Sequence, residues 1–498
     1  MERARGVAVE RELGWFFQRV PSEPGFLENM KIRSLLAQCA VFLRSRKPEL
    51  ALFLLGVLLR VTMAWTYNVD WSYDSDQHWL VVRWIAEHGR VPPVDATFES
   101  FHPPLYYVIS AILFKHGVSH AHMVWIAIVS GVVRLGLLWA GFELYLPHSR
   151  LARISALALS AVLAASVHAD GMTYPEPLSG MWCAAALLLI PIAFKRRPER
   201  RWRLAIALGL LLGVAMVTKI SAVAIILSLG VGAGAEAVFS RRDWRTRAKG
   251  LATWAVTLAV CLAVCGWYFE RNVRDYGTPF VTSFDLPFQH NLVADTDKLP
   301  YLERRTLAYV FGWSRAMNDY PYYPTAITTH PMFFPVVVAS TFVDFYNYGF
   351  SGIDPSTKSD VWAGHCPLST QILTLSQDAM LAGTVIFLAT VAAWFMAARA
   401  TARRRDWGLF TTLLAPACMT ALALHFAIRA PVDAVGVVKS AYMQFASGPL
   451  DAVFGLAVAW SLQKSIRWPL FAALLASLWT VAAYTLYCRL RLPMLPLS

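Results

Sequence analysis

Charge is scarce in this chain. Only 15% of its 498 residues are Asp, Glu, Lys or Arg, while 57% are hydrophobic. A soluble domain carries about a quarter charged residues, so the shortage argues against a water-soluble enzyme. Acidic residues are the scarcer sign: 32 Asp and Glu against 45 Lys and Arg, a net charge of +13. A nucleic-acid binder could show that excess. Here, however, the basic residues stand in short clusters between apolar runs, which is how membrane topology is written. Seven cysteines form no Cys-x-x-Cys pair and no regular framework, so neither a zinc ribbon nor a disulfide scaffold is suggested. Coiled-coil, collagen-like and low-complexity stretches are missing, and no internal repeat is found.

What is present is a series of apolar runs. A membrane helix needs about 20 mostly apolar residues. Eleven stretches qualify: Leu50–Tyr67, Met123–Leu146, Leu151–His168, Leu178–Phe194, Trp202–Thr218, Ile220–Phe239, Leu251–Phe269, Ala379–Ala400, Gly408–Ile428, Ala441–Leu462 and Trp468–Tyr487. The expected fold is an all-α polytopic membrane protein. Residues 1–48 form a cytoplasmic segment in which Glu28–Lys47 reads as an amphipathic helix. Residues 49–269 form a membrane core with an acidic first external loop at 68–122. Residues 270–378 form a long external region, and 379–498 the C-terminal helices. With the N-terminus inside, 28 of the 45 basic residues fall on the cytoplasmic segments, as the positive-inside rule demands. Pro103–Lys115 and Met332–Phe345 are too short and too Pro-marked to span, and are expected to be interfacial helices.

Polar chemistry then gathers on the outer side. Tyr73-Asp74-Ser75-Asp76-Gln77-His78 opens a predicted amphipathic helix that ends at Gly89. Its acids could cap that helix, bind a divalent cation such as magnesium or manganese, or act as a base, with His78 beside them. His102 precedes two prolines and could hydrogen-bond a phosphate or carboxylate. Asp170 and Glu176 lie in a short loop between two spans, where acids are costly unless solvated or paired. Lys219 sits between apolar runs, placed either to snorkel or to pair with a lipid-borne phosphate. Arg271 and Lys439 divide the same way between interfacial anchors and phosphate ligands, and Tyr276-Gly277-Thr278-Pro279 reads as a turn.

Taken in order, Tyr73 to His78, His102-Pro103-Pro104-Leu105-Tyr106-Tyr107, Tyr174-Pro175-Glu176-Pro177-Leu178, Thr218-Lys219 and Tyr268 to Pro279 resemble the GT-C class of membrane glycosyltransferases. The resemblance runs from about Leu50 to Leu462. It is nearest to the protein O-mannosyltransferase and aminoarabinose-transferase branch. It implies a hexosyl- or pentosyltransferase that moves a sugar, with inversion, from a polyprenyl-phosphate donor to a lipid, glycan or protein acceptor. Asp74 matches the class's catalytic base, Asp76 its frequent second acid, and Glu176 the acid of the second external loop. Donor contacts would fall to His78, His102, Asp170, Lys219, Arg271, Tyr276 and Lys439, with Asp74 and Asp76 as metal ligands if a cation takes part. The chain departs from close relatives in having Asp74-Ser75 where they often have Asp-Glu, and His102 where aminoarabinose transferases have Lys. High Ala and Arg with little Lys suggest a bacterial inner membrane, with membrane lipids around the protein and the site facing the periplasm. The alternative is a transporter or lipid flippase, which would place its polar groups near the bilayer midplane.

Overall fold

The computed structural model describes residues 46–66, 74–286, 298–313, 332–343, 370–431, 438–463 and 465–491. Most of the expected amphipathic helix at Glu28–Lys47 (residues 28–45), Tyr73, and much of the long external region lie outside these residues. Among them, all regular structure is helical. Nine helices among the described residues are long and apolar enough to cross a membrane: Lys47–Trp65, Ala121–Tyr145, Glu176–Lys195, Ile220–Phe239, Trp244–Tyr276, Leu373–Arg404, Trp407–Arg429, Met443–Leu462 and Trp468–Cys488. Burial separates centre from periphery. Met443–Leu462 is 78% buried and Glu176–Lys195 67%, while Lys47–Trp65 and Trp468–Cys488 are 28% buried and keep apolar faces outward.

The expected count of eleven is therefore not reproduced by length and composition. Leu151–His168 is two helices, Arg150–Val162 and Ala164–Ala169, because Leu163 (φ −59°, ψ 118°) leaves the helical region. Polar partners take over around the break. Ser160 donates to Asp451 (2.6 Å) and Ser166 to Gln444 (2.5 Å), both on the Ser440–Leu462 segment. Trp202–Met216 has only 15 residues, about 22 Å of rise. It packs on Trp244–Tyr276 through Gly209 and Gly213, where an added Cβ would lie 2.6 Å from the Thr257 carbonyl oxygen and 3.0 Å from that of Cys261. Small residues four apart let membrane helices approach this closely.

One expected interfacial helix is corrected. Phe333–Phe342 buries Phe333, Pro335–Ser340 and Phe342, and packs against Ala164–Ala169, Thr370–Arg404 and Ser440–Ala446. Phe, Val and Ala occupy all its sides, so it lacks the polar face an interfacial position needs. The other, Leu105–Lys115, is a short apolar helix whose first free N–H, that of Leu105, donates to the Val217 carbonyl (2.9 Å).

Ion pairs sort the connections into two ends. At one end Arg46 meets Glu143 (3.0 Å), Arg153 meets Glu143 (3.3 Å), and Arg150 meets Glu49 (3.3 Å). Arg201 makes a two-pronged pair with Glu236 (2.6 and 2.7 Å) and lies beside the rings of Phe194 and Trp254, and Arg242 adds a third contact at 3.1 Å. Ser149, Asp243 and Asp406 cap helices that start from these connections. These are the connections the basic-residue pattern places together.

Between the ends, two arginines inside spans, Arg60 and Arg134, share one acid. Asp170 Oδ2 accepts from Arg60 Nε (2.7 Å) and Arg134 Nη2 (3.0 Å), all three groups being at most 3% exposed. Gly131 makes room for this acid, since a Cβ there would stand 2.2 Å from Asp170 Cγ. Removing one partner of a buried pair leaves an uncompensated charge and costs about 3–5 kcal/mol. Asp170→Asn should therefore lower the thermal unfolding midpoint in detergent far more than Asp76→Asn, which changes an exposed side chain. Gly131→Ala should destabilise by about 1–3 kcal/mol, the usual cost of overpacking. Equal midpoints for the two Asp variants would show that the triad does not hold the bundle.

Candidate active site

The other end of the bundle brings together residues from five separate stretches of chain. The Ser75–His88 helix starts there, and Asp74 precedes it with φ +57° and ψ +15°, a left-handed conformation that costs a non-Gly residue free energy. Asp74 does not cap the helix with its side chain. Its Oδ2 instead stands 3.8 Å from Lys439 Nζ, with the carboxylate 39% exposed and the lysine 6%. Ser75 fixes the helix start to the second loop through Thr173 (3.0 Å).

Behind Asp74 lies a buried network. Lys219 Nζ is 2.8 Å from Glu176 Oε1 and 3.1 Å from His102 Nε2. His102 Nε2 is also 2.7 Å from Glu99 Oε2. Glu99 in turn lies 3.9 Å from His78 Nδ1, which is 2.8 Å from the Tyr107 hydroxyl. Each residue has a local reason for its place. Pro103 and Pro104 lead into the Leu105–Lys115 helix, so Glu99 and His102 occupy the tight turn before it, closed by His102 N–H to Glu99 C=O (3.1 Å). Glu176 follows Pro175 as the first residue of its span, and Lys219 is the extended residue between two helical segments.

Burial sets the protonation states. It pushes the Glu99 carboxyl up to about 7, against the pull of His78 and the two lysines. It pushes His78 down to about 3, and His102, which also faces Lys219, well below its usual value, so both rings are neutral near pH 7. Desolvation likewise lowers the Lys439 ammonium, while Asp74, Glu99 and Glu176 pull it back up.

The remaining expected residues divide. Arg271 joins this end indirectly: its guanidinium lies 5.0 Å from the Tyr268 ring centroid, and the Tyr268 hydroxyl donates to the Phe101 carbonyl (2.5 Å), next to His102. Tyr276 packs against the Val94, Val281 and Leu286 cluster. Asp170 belongs to the arginine triad described above, so its acid is held by span arginines. Asp74 and Asp76 do not share a partner, since Asp76 is exposed and accepts from the Gln77 amide (2.9 Å). A cation between them would meet the Lys439 ammonium, and among the described residues no group of three His, Cys, Asp or Glu is placed to hold a metal. The donor set thus fits a metal poorly. Glu99 had no assigned role in the sequence; its only local signal is the Glu-x-x-His spacing to His102.

Residues 101–267 match the family model described as dolichyl-phosphate-mannose-protein mannosyltransferase. The match includes His102, Glu176 and Lys219, and leaves Asp74 and Lys439 outside it. No curated protein sequence matches the chain. Among solved structures, the Archaeoglobus fulgidus oligosaccharyltransferase complex with Zn and sulfate is 13% identical, with a TM-score of 0.47 over 89% of this chain and 53% of that one. The same organism's AglB in complex with an inhibitory peptide and a dolichol-phosphate is 13% identical, TM-score 0.48, over 90% and 55%. ArnT from Cupriavidus metallidurans, bound to undecaprenyl phosphate, is 15% identical, TM-score 0.36, over 77% and 78%. The chain spans about half the length of the oligosaccharyltransferase it matches. Over residues 101–267, this chain is similar to the dolichyl-phosphate-mannose-protein mannosyltransferases, a family of the GT-C type.

Proposed function

We propose that this protein is an inverting glycosyltransferase that moves a hexosyl or pentosyl group from a polyprenyl-phosphate donor to an acceptor hydroxyl. Its site would face the non-cytoplasmic side of the membrane, the periplasm if the protein is bacterial. The observation that carries this reading is one half-exposed carboxylate, Asp74, set beside the buried ammonium of Lys439, with Lys219 paired to Glu176 in the network behind it.

Such a transfer needs a base for the acceptor and cations for the departing phosphate. The acceptor oxygen forms a bond to the anomeric carbon as the bond from that carbon to the phosphate oxygen breaks. The acceptor proton passes to Asp74, and the bonding pair leaves with the phosphate. Lys439 and Lys219 oppose the charge that develops there, and their burial strengthens that interaction because little water screens it. Glu176 holds Lys219 in place, and Arg271 approaches from the next helix. The isoprenoid tail stays in hydrocarbon beside the exposed apolar faces of the outer helices. The transporter reading lacks a comparable support, because Arg60 and Arg134 are already closed on Asp170.

Asp74→Asn keeps the shape but removes the base, so transfer should fall by about 10²–10⁴ while the variant still folds and binds donor. Mass spectrometry of the lipid-linked sugar retained by the purified protein would identify the donor. Near-normal transfer by Asp74→Asn, with Asp76→Asn inactive, would move the base to Asp76; activity in both would end the enzymatic reading of this loop. Lys219→Met and Lys439→Met should each weaken donor binding by about 1.5–3 kcal/mol, the range for a charge-assisted hydrogen bond. Unchanged donor affinity would leave the two lysines as structural ion-pair partners.

A further inference from the structure

We infer that Ser75 and Thr173 are positioning residues for Asp74, their hydroxyl contact seating the start of the Ser75–His88 helix on the second loop. The inference rests on the reading of Asp74 as the base and adds the pair of residues that keeps it aimed. The observation is a buried hydrogen bond between Ser75 Oγ and Thr173 Oγ1 (3.0 Å), 98 residues apart in the chain. It is made directly after the left-handed backbone of Asp74.

A left-handed non-Gly residue persists only where its surroundings hold it there. Asp74 gains little hold from its own side chain, which makes no cap hydrogen bond and stands half-exposed, 3.8 Å from Lys439 Nζ. The backbone that follows supplies the hold. Asp74 C=O accepts from His78 N–H (2.8 Å), which closes the first helical turn. Ser75, the first residue of that turn, is 3% exposed, and its hydroxyl reaches Thr173 and, at 3.4 Å, His120 Nε2. One hydroxyl can serve both, since it carries one hydrogen and two lone pairs. The His120 ring is itself stacked on Trp79, one turn along the same helix from Ser75, with centroids 4.3 Å apart and planes 10° from parallel.

Thr173 is a fixed point. Every residue from 164 to 180 is buried. Thr173 stands three residues after Asp170, which Arg60 and Arg134 hold at 2.7 and 3.0 Å, and three before Glu176, which Lys219 holds at 2.8 Å. Between Asp170 and Thr173, Gly171 lies so close to Met63 that an added Cβ would stand 2.2 Å from its Cε. The loop is thus braced on both sides of Thr173 by buried ion pairs, and its hydroxyl gives the helix start a rigid seat. A base depends on such a seat, because a misplacement of about 1 Å can cost on the order of 10²-fold in rate.

The test uses the full chain in detergent and the farnesyl-phosphoryl ester of the sugar carried by the lipid that co-purifies, with water as acceptor. The water oxygen bonds to the anomeric carbon, its proton passes to Asp74, and farnesyl phosphate leaves with the bonding pair; its release is the readout. Thr173→Val, and Ser75→Ala combined with Thr173→Val, should each lower kcat by roughly tenfold to 10²-fold with KM unchanged. The combined variant leaves neither hydroxyl of the pair unsatisfied, so its unfolding midpoint should stay near wild type. It carries the test if Thr173→Val alone does not fold. Thr173→Ser keeps the hydroxyl and should recover most of the rate. On an Asp74→Asn background, Thr173→Val should lower the residual rate no further, because residues that act through one another are not additive. Wild-type kcat in the combined variant, a loss confined to KM, or an undiminished effect of Thr173→Val on the Asp74→Asn background would overturn the inference. Near-normal release by Asp74→Asn, or none by the wild type, would instead end the reading of Asp74 as the base, and this inference with it.

Discussion

An ionised side chain taken out of water among membrane helices needs an opposite charge in contact, since the low dielectric leaves nothing else to stabilise it. Among the described residues, such closures include one at each end of the bundle and one between. Arg201 meets Glu236 at one end, Arg60 and Arg134 meet Asp170 between the helices, and Lys219 meets Glu176 at the other end. Each joins residues distant in sequence, so each fixes which helices are neighbours. Small residues then set how near those helices come, as Gly131 does for Asp170 and Gly209 and Gly213 for Trp244–Tyr276.

The closure at Lys219 differs from the other two in its neighbours. Around it stand a half-exposed carboxylate, a second buried lysine, two neutral imidazoles and an acid poised near neutrality. Structural pairs gain nothing from such company. A site that must take up a proton and oppose an emerging phosphate charge gains from all of it. The left-handed backbone of Asp74 fits this view, because it turns the side chain from a helix cap into a group aimed at Lys439.

Much of this was legible in the chain. Hydropathy located the long helices, and the clustering of Arg and Lys grouped the connections that meet at one end. The acids and bases of the opposite end, Asp74, Glu176, His102, Lys219 and Lys439, stood out as polar residues at the borders of apolar runs. Other features were not legible. Nothing local distinguishes Asp170 from Glu176, six residues apart in the same loop, yet one closes on span arginines and the other on Lys219. Phe333–Phe342 looked like a surface helix because it is short; its uniform apolar character was the signal that it is buried.

By itself, then, the sequence determined the helical class and most of the long apolar helices, because those depend on composition and period within a single segment. Tertiary structure alone decided which charges pair, that Leu163 breaks an expected span, and that Glu99, His102 and Lys219 come together. Those outcomes depend on distances between segments well separated in the chain, from 35 residues for Arg201 and Glu236 to 117 for Lys219 and His102, and only packing of the whole bundle fixes such distances.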